Sequence, residues 1–245
     1  ISSDTLLSEC YYLISNGGRI SLELGIKLFN HSNLSGILAL GNLIKKSRYG
    51  NYVYFNENLH VNTTNICILA CRFCAFRKGP RHSEAYSLNV KDYIKQIMPY
   101  SDRIDEIHSV GGLHPEWKIE HYEELYRESK KKYPNIMIKS LTAVEIKHIA
   151  NRSGLSIQNT LIRLSDAGLD SLPGGGAEIL VDTVRNRICR GKESSEEYLN
   201  IHKIAHNLGI STNCTMLFGT VETLDERAIH LDKLRKLQDE TNGFQ

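Results

Sequence analysis

Apolar residues recur at helical spacing over the first fifty residues of the chain. The stretches "TLLSECYYLI", "SLELGIKLF" and "LSGILALGNLI" place them three and four positions apart, which is typical of amphipathic helices. Gly17-Gly18 and the segment "NHSN" interrupt this pattern. We therefore predict a helical N-terminal extension over residues 1–50, divided into short helices.

From residue 52 the period changes. The stretch "YVYFNENLHVN" (52–62) alternates and is rich in aromatic and β-branched residues, so it predicts a first strand. Further strands and amphipathic helices then alternate. The predicted strands are 104–112, 135–143, 169–172 and 210–219, and the predicted helices are 89–99, 118–132, 144–151, 156–167, 178–188, 195–208 and 223–238. Ser194 with Glu197, and Thr223 with Glu226, match the S/T-x-x-E capping box of a helix start.

This alternation predicts the fold class. Strands that alternate with helices form a parallel sheet with right-handed crossovers, so residues 51–245 predict an α/β, TIM-like (β/α) barrel. Only five strands are visible, and "GFQ" at the end resembles the start of a sixth, whereas a closed barrel has eight strands and takes about 250 residues. The first residue is Ile rather than Met. We therefore predict a partial barrel, truncated at its C-terminus, from a longer protein.

Composition narrows the functional classes. The chain has 245 residues, of which 41% are hydrophobic, and a formal net charge of +2, with basic and acidic residues interleaved. This charge pattern is not that of a nucleic-acid-binding protein. No apolar stretch approaches the about 18 residues of a membrane span, and the N-terminus does not resemble a secretory signal. We predict a soluble, cytoplasmic protein that does not bind membranes.

Three of the six cysteines lie within the eight residues of "CILACRFC". Cys67, Cys71 and Cys74 have the spacing C-x3-C-x2-C, which allows two metal-binding interpretations. Structural zinc prefers paired C-x2-C units and a closed set of four ligands, and only one such pair is present. Three thiolates on one loop favour an iron–sulfur cluster with one open iron. A non-catalytic iron–sulfur or zinc module is the alternative from another class, and it would need a fourth ligand.

The motif C-x3-C-x-aromatic-C, with Phe73 at the aromatic position, resembles that of the radical S-adenosylmethionine (SAM) enzymes. The resemblance implies that Cys67, Cys71 and Cys74 hold a [4Fe-4S] cluster on the loop after the first barrel strand. It also implies that the open iron binds the amino and carboxylate groups of SAM. An electron from a donor protein such as flavodoxin or ferredoxin would then cleave SAM to methionine and a 5′-deoxyadenosyl radical.

The same resemblance implies further SAM-binding residues. They share positions at predicted strand ends or in glycine-rich loops: Phe73, Gly111, Gly112, Glu145, Glu178, Gly219 and Glu222. Gly219 and Glu222 lie in "TMLFGTVE", which is similar to the family's G-x-I-x-G-x-x-E, with Thr215 at the first position. A simple strand-end turn at Gly111-Gly112 and a helix-start carboxylate at Glu222 are the structural alternatives.

Within the superfamily, the segments "LHVNTTNICILACRFCAF", "HSVGGLHPEW", "KSLTAVEI", "DSLPGGGAEIL" and "LQDETNGFQ" resemble the aminodeoxyfutalosine synthase family of menaquinone biosynthesis. Dehypoxanthine futalosine cyclase and the deazaflavin (FO) synthases are close relatives, and the cyclase is the alternative. The resemblance implies that the radical adds to the vinyl carbon of 3-[(1-carboxyvinyl)oxy]benzoate. Rearrangement and loss of bicarbonate would give 6-amino-6-deoxyfutalosine.

Such a substrate has two carboxylates, for which arginine is a suitable partner. The candidates by position are Arg77, Arg81, Arg185, Arg187 and Arg190. His60 and His114 lie at predicted strand ends on the catalytic face, and we predict catalytic roles for them as proton donors or substrate contacts, with a structural role as the alternative. His202 and His206 are four residues apart, but the zinc-protease glutamate is absent, which favours a structural or surface role.

Overall fold

The computed structural model describes residues 4–245. The helices are α1 (Thr5–Ser15), α2 (Leu22–Phe29), α3 (Leu34–Tyr49), α4 (Val90–Ile97), α5 (Ile119–Lys132), α6 (Ala143–Ser153), α7 (Ile157–Ala167), α8 (Asp182–Ile188), α9 (Ser195–Asn207) and α10 (Leu224–Thr241), with a 3-10 turn at Met98–Tyr100. The strands are β1 (Asn58–His60), β2 (Glu106–Ser109), β3 (Met137–Ser140), β4 (Ser171–Leu172) and β5 (Ser211–Thr212).

The five strands form one parallel sheet in the order β1-β2-β3-β4-β5. Every strand pairs with its successor, and a helix lies between them in the sequence, as in a (β/α) barrel. A parallel bridge joins Thr212 to Phe244, with Thr212 N–H donating to the carbonyl of Gly243 at 3.0 Å. The predictions of a parallel α/β sheet and of strand-like pairing in "GFQ" are therefore confirmed.

The two faces of the sheet differ in chemistry. Ile107, Ile138 and Leu172 are almost fully buried and belong to the main core, which the helices α4, α5, α7 and α9 complete. The alternate positions carry polar side chains, because successive residues of a strand point to opposite faces. His60, His108 and Lys139 are register partners on this second face. The helix-facing side therefore forms the core of the fold. The other side, which we call the open face, carries the polar side chains of His60, His108 and Lys139.

The first strand is shorter than predicted. Residues 52–57 lie outside the sheet, and Tyr52, Val53, Tyr54 and Phe55 are exposed. Alternation and β-propensity do not make a strand where no neighbouring backbone is available for pairing. The fifth strand is shorter for a related reason, since the chain leaves the sheet after Asn213, whose N–H donates to the carbonyl of Leu172.

Both predicted capping boxes are confirmed. The Ser194 N–H donates to Glu197 Oε2 at 2.8 Å, and the Glu197 N–H donates to Ser194 Oγ at 3.1 Å. Thr223 and Glu226 make the same reciprocal pair at 2.7 and 3.2 Å. These bonds satisfy backbone donors that a helix start would otherwise leave without partners, and so they fix where α9 and α10 begin.

The described residues form two compact units. One comprises residues 4–55 with Glu222–Asp232, and Leu7, Cys10 and Leu40 form a small core in it. The other comprises Asn56–Val221 with Lys233–Gln245 and contains the sheet. A domain boundary at residue 50 stays a prediction. Among the residues described, none of the helices combines the length and apolarity needed to cross a bilayer.

Candidate functional site

The cysteine motif lies on the long loop between β1 and α4, and backbone hydrogen bonds hold this loop at three places. The Cys67 N–H donates to the Lys78 carbonyl at 3.3 Å, within the loop itself. The Ile68 N–H donates to the carbonyl of Leu113, just beyond β2, at 3.1 Å, and the Arg72 N–H donates to that of Ile188, in α8, at 2.8 Å. The loop is therefore held by its own hairpin-like contact and by two distant parts of the sheet unit.

One cavity brings most of the predicted site residues together. Its lining includes Cys67, Cys71, Cys74, Phe73, Gly111, Gly112 and Glu145. Two of the cysteines are half-buried and Cys74 is exposed. Burial raises the pKa of the Cys71 thiol, while the nearby Lys192 ammonium acts in the opposite direction. The cavity thus places three thiols, two strand-end glycines and one carboxylate around a shared space.

The donor set fits an iron–sulfur cluster. Among the described residues, no three His, Cys, Asp or Glu side chains lie close enough together to hold one metal ion. Each thiolate of a cubane cluster binds a different iron, so its protein ligands stand farther apart than the ligands of a single ion. Three thiols around an open cavity match a cluster in which one iron keeps an open position.

Gly111 and Gly112 have a packing role that the sequence does not reveal. A Cβ on Gly112 would overlap the carbonyl group of Ile66 and lie 2.9 Å from Cys67 Cβ. A Cβ on Gly111 would lie 2.6 Å from Thr63 Oγ1. The Gly112 N–H also donates to the carbonyl of Thr64 at 2.8 Å. These glycines therefore let the end of β2 pack directly against the loop that carries the cysteines.

Glu145 lies at the start of α6 with its carboxylate buried in the cavity wall. One carboxylate oxygen accepts from the backbone N–H and the hydroxyl of Thr142, at 2.8 and 2.7 Å. The other accepts from the Gly111 N–H at 2.8 Å. Burial raises the pKa of Glu145 to about 7, although all three hydrogen bonds favour the carboxylate. Glu145 thus joins the ends of β2 and β3 and keeps further acceptor capacity toward the cavity.

Lys192 is a cavity residue that sequence reasoning missed. Its Nζ lies 2.5 Å from Glu178 Oε1 and 5.7 Å from the centre of the Phe73 ring. Burial alone would lower the pKa of Lys192, but the ion pair with Glu178 holds that pKa above its ordinary value. Glu178 adopts a φ of +47°, which is unusual for a residue other than glycine. A single lysine in a loop carries no motif, so only the fold could show it beside the cysteines.

The other predicted residues lie elsewhere. The His114 ring stacks on Trp117 at 4.4 Å, and its Nδ1 accepts from the Glu116 N–H at 3.2 Å. Gly219 follows β5 with a φ of +88°, and a Cβ there would meet no atom within 4 Å. Glu222 belongs to the helical unit, where Oε1 accepts from Arg227 Nε at 2.9 Å. The SAM-binding and catalytic roles of these three residues stay predictions.

His60 belongs to a polar row on the open face of the sheet. Its ring stacks on the register partner His108 with centroids 4.5 Å apart and planes 10° from parallel. Nδ1 of His108 lies 3.7 Å from Glu106 Oε1, and Lys139 Nζ lies 2.8 Å from Glu106 Oε2. Burial, and then the neighbouring His60, lower the pKa of His108. The row can accept, pass on or donate a proton, and only strand register could have revealed it.

Four of the five arginine candidates lie in three different settings. Arg185 is buried and donates to three backbone carbonyls and to Glu193 Oε1, so its guanidinium group already has structural partners. Arg77 lines the cavity, and its Nε donates to the Cys67 carbonyl at 3.2 Å. Arg187 and Arg190 line a different cavity, on the other side of the cysteine loop. Position along the chain alone could not separate these cases.

The sequence also matches the model of a known protein family. Residues 61–234 match the model described as Radical SAM superfamily, which is more than half of the chain. The chain belongs to the radical SAM superfamily. The predicted [4Fe-4S] cluster and SAM are the cofactor and cosubstrate of this family of enzymes, and both predictions are confirmed.

Curated relatives and one solved structure add detail to this membership. The chain is 40% identical over 232 residues to aminodeoxyfutalosine synthase of Thermus thermophilus, covering 94% of this chain and 62% of the relative. It is 36% identical to cyclic dehypoxanthine futalosine synthase of Streptomyces coelicolor, covering 93% and 58%. The crystal structure of methylornithine synthase superposes with a TM-score of 0.69 at 14% identity, covering 95% and 64%, which supports the fold. The chain thus spans about three fifths of the curated relatives it matches.

Proposed function

We propose that this radical SAM chain is the catalytic part of an aminodeoxyfutalosine synthase. The observation that carries the proposal is 40% identity along 94% of the chain to an enzyme of that name, with all three motif cysteines on one cavity. The substrate would be 3-[(1-carboxyvinyl)oxy]benzoate and the product 6-amino-6-deoxyfutalosine. A reducing compartment suits three free thiols, so we place the protein in the cytoplasm.

The cofactor and cosubstrate would be held by the cavity residues. Cys67, Cys71 and Cys74 would bind the cluster, while Phe73 and Glu145 would flank SAM. When bound and reduced, the cluster supplies the electron that cleaves SAM and releases the 5′-deoxyadenosyl group for addition to the substrate. Lys192, a buried cation beside Cys71, offers a partner for the carboxylate of SAM, and Glu178 holds its Nζ in place.

The open face of the sheet would receive the aromatic acid. Lys139 supplies a cation there, and Glu106 fixes its ammonium group at 2.8 Å. The stacked His60 and His108 can hold or deliver a proton where the substrate carboxylates and the new bonds need one. We therefore propose both His60 and His108 as catalytic residues. These assignments rest on side-chain chemistry and position in the row.

The proposal is tested by an anaerobic reaction of the reconstituted protein with SAM, dithionite and the carboxyvinyloxy benzoate, read by mass spectrometry. A product that joins the adenosyl group to the aromatic acid is expected. Cys71→Ser should abolish both this product and SAM cleavage, whereas Cys214→Ser, at a cysteine outside the motif, should retain them. SAM cleavage without the adduct would reject the synthase, and no cleavage by a cluster-loaded chain would reject radical chemistry.

A cyclic dehypoxanthine futalosine synthase is the second candidate, because the chain is also 36% identical to such an enzyme over 93% of its length. The two functions separate in the same assay. A cyclase would transfer one hydrogen atom of dehypoxanthine futalosine to the 5′-deoxyadenosyl radical and release a second as a proton and an electron, so its cyclised product would be two hydrogens lighter and contain no adenosyl group. Supplying each substrate in turn therefore decides between them.

A further inference from the structure

The cysteine loop has an outer side that the proposed chemistry does not use. Cys67, Leu69, Cys71 and Phe73 line the inner cavity, and the intervening Ala70 and Arg72 line a second cavity of about 460 Å³. Its other lining residues come from α8 and the turn after it: Asn186, Arg187, Ile188 and Arg190. Alternate residues of one loop therefore face two separate spaces.

This outer cavity is basic. Arg72, Arg187 and Arg190 are exposed, and no carboxylate lines the cavity with them. Among the described residues, no Asp or Glu carboxylate lies within ion-pair distance of these three guanidinium groups. Neighbouring acids are engaged elsewhere, since Asp182 accepts from the Ser195 N–H at 2.8 Å and Glu193 pairs with Arg185 at 3.0 Å. Three positive charges thus remain open to an external partner.

The cavity lies directly behind the motif cysteines. Arg72 is bonded to Cys71 in the chain, and its N–H donates to the Ile188 carbonyl at 2.8 Å. The Cys71 side chain packs against the small apolar cluster that includes Ile188 and Cys189. A molecule seated on the arginines would therefore be separated from a Cys71-bound cluster by a single layer of loop. Electron transfer falls off steeply with distance, so this is a short path to the cluster from outside.

We infer that Arg72, Arg187 and Arg190 form the docking surface for an acidic electron-carrier protein that reduces the cluster. The inference rests on the proposed function only in requiring a bound cluster. Opposite charge steers weak, transient partners into register, and electron-transfer interfaces are small. Arginine suits such a surface because its planar fork binds carboxylates and is common at interfaces. In each encounter the carrier loses one electron and the cluster gains it.

The test compares two double charge reversals of equal net charge. Arg187→Glu with Arg190→Glu alters the docking surface but leaves the loop residue Arg72 in place. Arg103→Glu with Arg152→Glu is the matched control, because both of those arginines are exposed and lie outside the cavity. The probe is a purified reduced flavodoxin. The readouts are its affinity for the cluster-loaded protein at low and physiological ionic strength, and the stopped-flow rate of cluster reduction.

We expect the docking variant to lose at least tenfold in affinity and in flavodoxin-driven reduction, with a weaker salt dependence. Reduction by dithionite, which needs no docking surface, should be unchanged, and the control should behave as the wild type. Equal losses in both variants would overturn the inference. It would also be overturned if the wild type bound heparin as tightly as flavodoxin, because the arginines would then form a general polyanion site. A wild-type protein that shows no reducible cluster with dithionite would overturn the proposed function as well.

Discussion

Two histidine pairs within residues 4–245 lie in contrasting settings. His60 and His108 stack on the open face of the sheet, with Glu106 and Lys139 beside them. His202 and His206 lie on α9, where His202 is completely buried. The first pair comes from two strands separated by 48 residues in the sequence, and the second from adjacent turns of one helix. The pair on adjacent helical turns is therefore the structural one, and the pair that strand pairing brings together is the candidate for chemistry.

The buried pair forms a hydrogen-bond chain with a fixed direction. The Thr241 hydroxyl donates to the Leu237 carbonyl at 2.8 Å, so it accepts from His206 Nδ1 at 2.6 Å. Burial lowers the pKa of both histidines, so the neutral His206 Nε2 accepts from the Thr212 hydroxyl, which in turn accepts from His202 Nδ1, both at 2.8 Å. His202 Nε2 is left buried without a partner. These hydrogen bonds join β5 and the end of α10 to α9.

The largest expected effect concerns the open pair. His108→Asn removes the imidazole between His60 and Glu106, and we expect kcat for the adenosyl adduct to fall about 100-fold, the usual scale for loss of a general acid or base. The unfolding midpoint should change little, because this face of the sheet is partly exposed. Product formation is measured by mass spectrometry at saturating substrate.

The same substitution in the buried pair is the control for that prediction. His202→Asn keeps a donor near Thr212, and the folded fraction should retain its kcat. If His108→Asn left kcat unchanged, the open row would be structural only and the contrast between the two pairs would fail. If both variants lost activity equally, the buried pair would have to influence the reaction through β5.

A smaller effect is expected on stability. His202→Ala removes a fully buried ring and leaves the Thr212 hydroxyl without its donor, which should lower the free energy of unfolding by about 2–4 kcal/mol. Denaturant unfolding measures the change. His60→Ala is the matched control, because the His60 ring is exposed, and its cost should be much smaller. Equal costs at the two positions would contradict the contrast in burial.

Sequence alone was sufficient where the signal is local. The order of strands and helices, both capping boxes and the set of residues in "CILACRFC" follow from periodicity and spacing, although β1 and β5 are much shorter than predicted. The cavity is also anticipated in part, because the carboxyl ends of parallel strands meet at one edge of the sheet. Cys67, Gly111, Gly112 and Glu145 accordingly lie together around one space.

Register and partnering could not be predicted from the sequence. The stack of His60 on His108 depends on how β1 pairs with β2, and a shift of β1 by one residue would have placed the two rings on opposite faces of the sheet. The ion pair of Lys192 with Glu178 joins two loops that carry no shared motif. Arg185 and Arg187 are two residues apart, yet one is buried with structural partners and the other is exposed, because a helix turns between them.

The pH dependence of stability offers a finer test of the buried pair. Burial, and then the neighbouring His206, lower the pKa of His202 to about 3, below the value near 6.5 of an unfolded chain. Below about pH 6.5 the unfolded state therefore binds a proton at His202 that the folded state does not bind. The free energy of unfolding falls accordingly as the pH decreases through this range. Between about pH 7.5 and pH 5, His202 alone should lower the free energy of unfolding by about 2 kcal/mol.

The measurement compares wild type with His202→Asn, since other histidines also contribute to the total. The variant should lose about 2 kcal/mol less than wild type over that interval in denaturant titrations. If the wild type and His202→Asn ran parallel, the His202 ring would not be held neutral in the fold, and the directional chain through Thr212 would be wrong.

The smallest expected effect comes from the next residue on the same helix. Lys203 pairs with Glu240 on the solvent side of α9 and α10, and both side chains are about half exposed. Exposed ion pairs contribute little because water and salt screen them, so Lys203→Met should change the free energy of unfolding by less than about 1 kcal/mol. Denaturant titration at low and high salt measures it. A larger loss would mean that the exposed ion pair, and not only the buried His202, holds α9 against α10, although the two residues are adjacent and point about 100° apart around the helix.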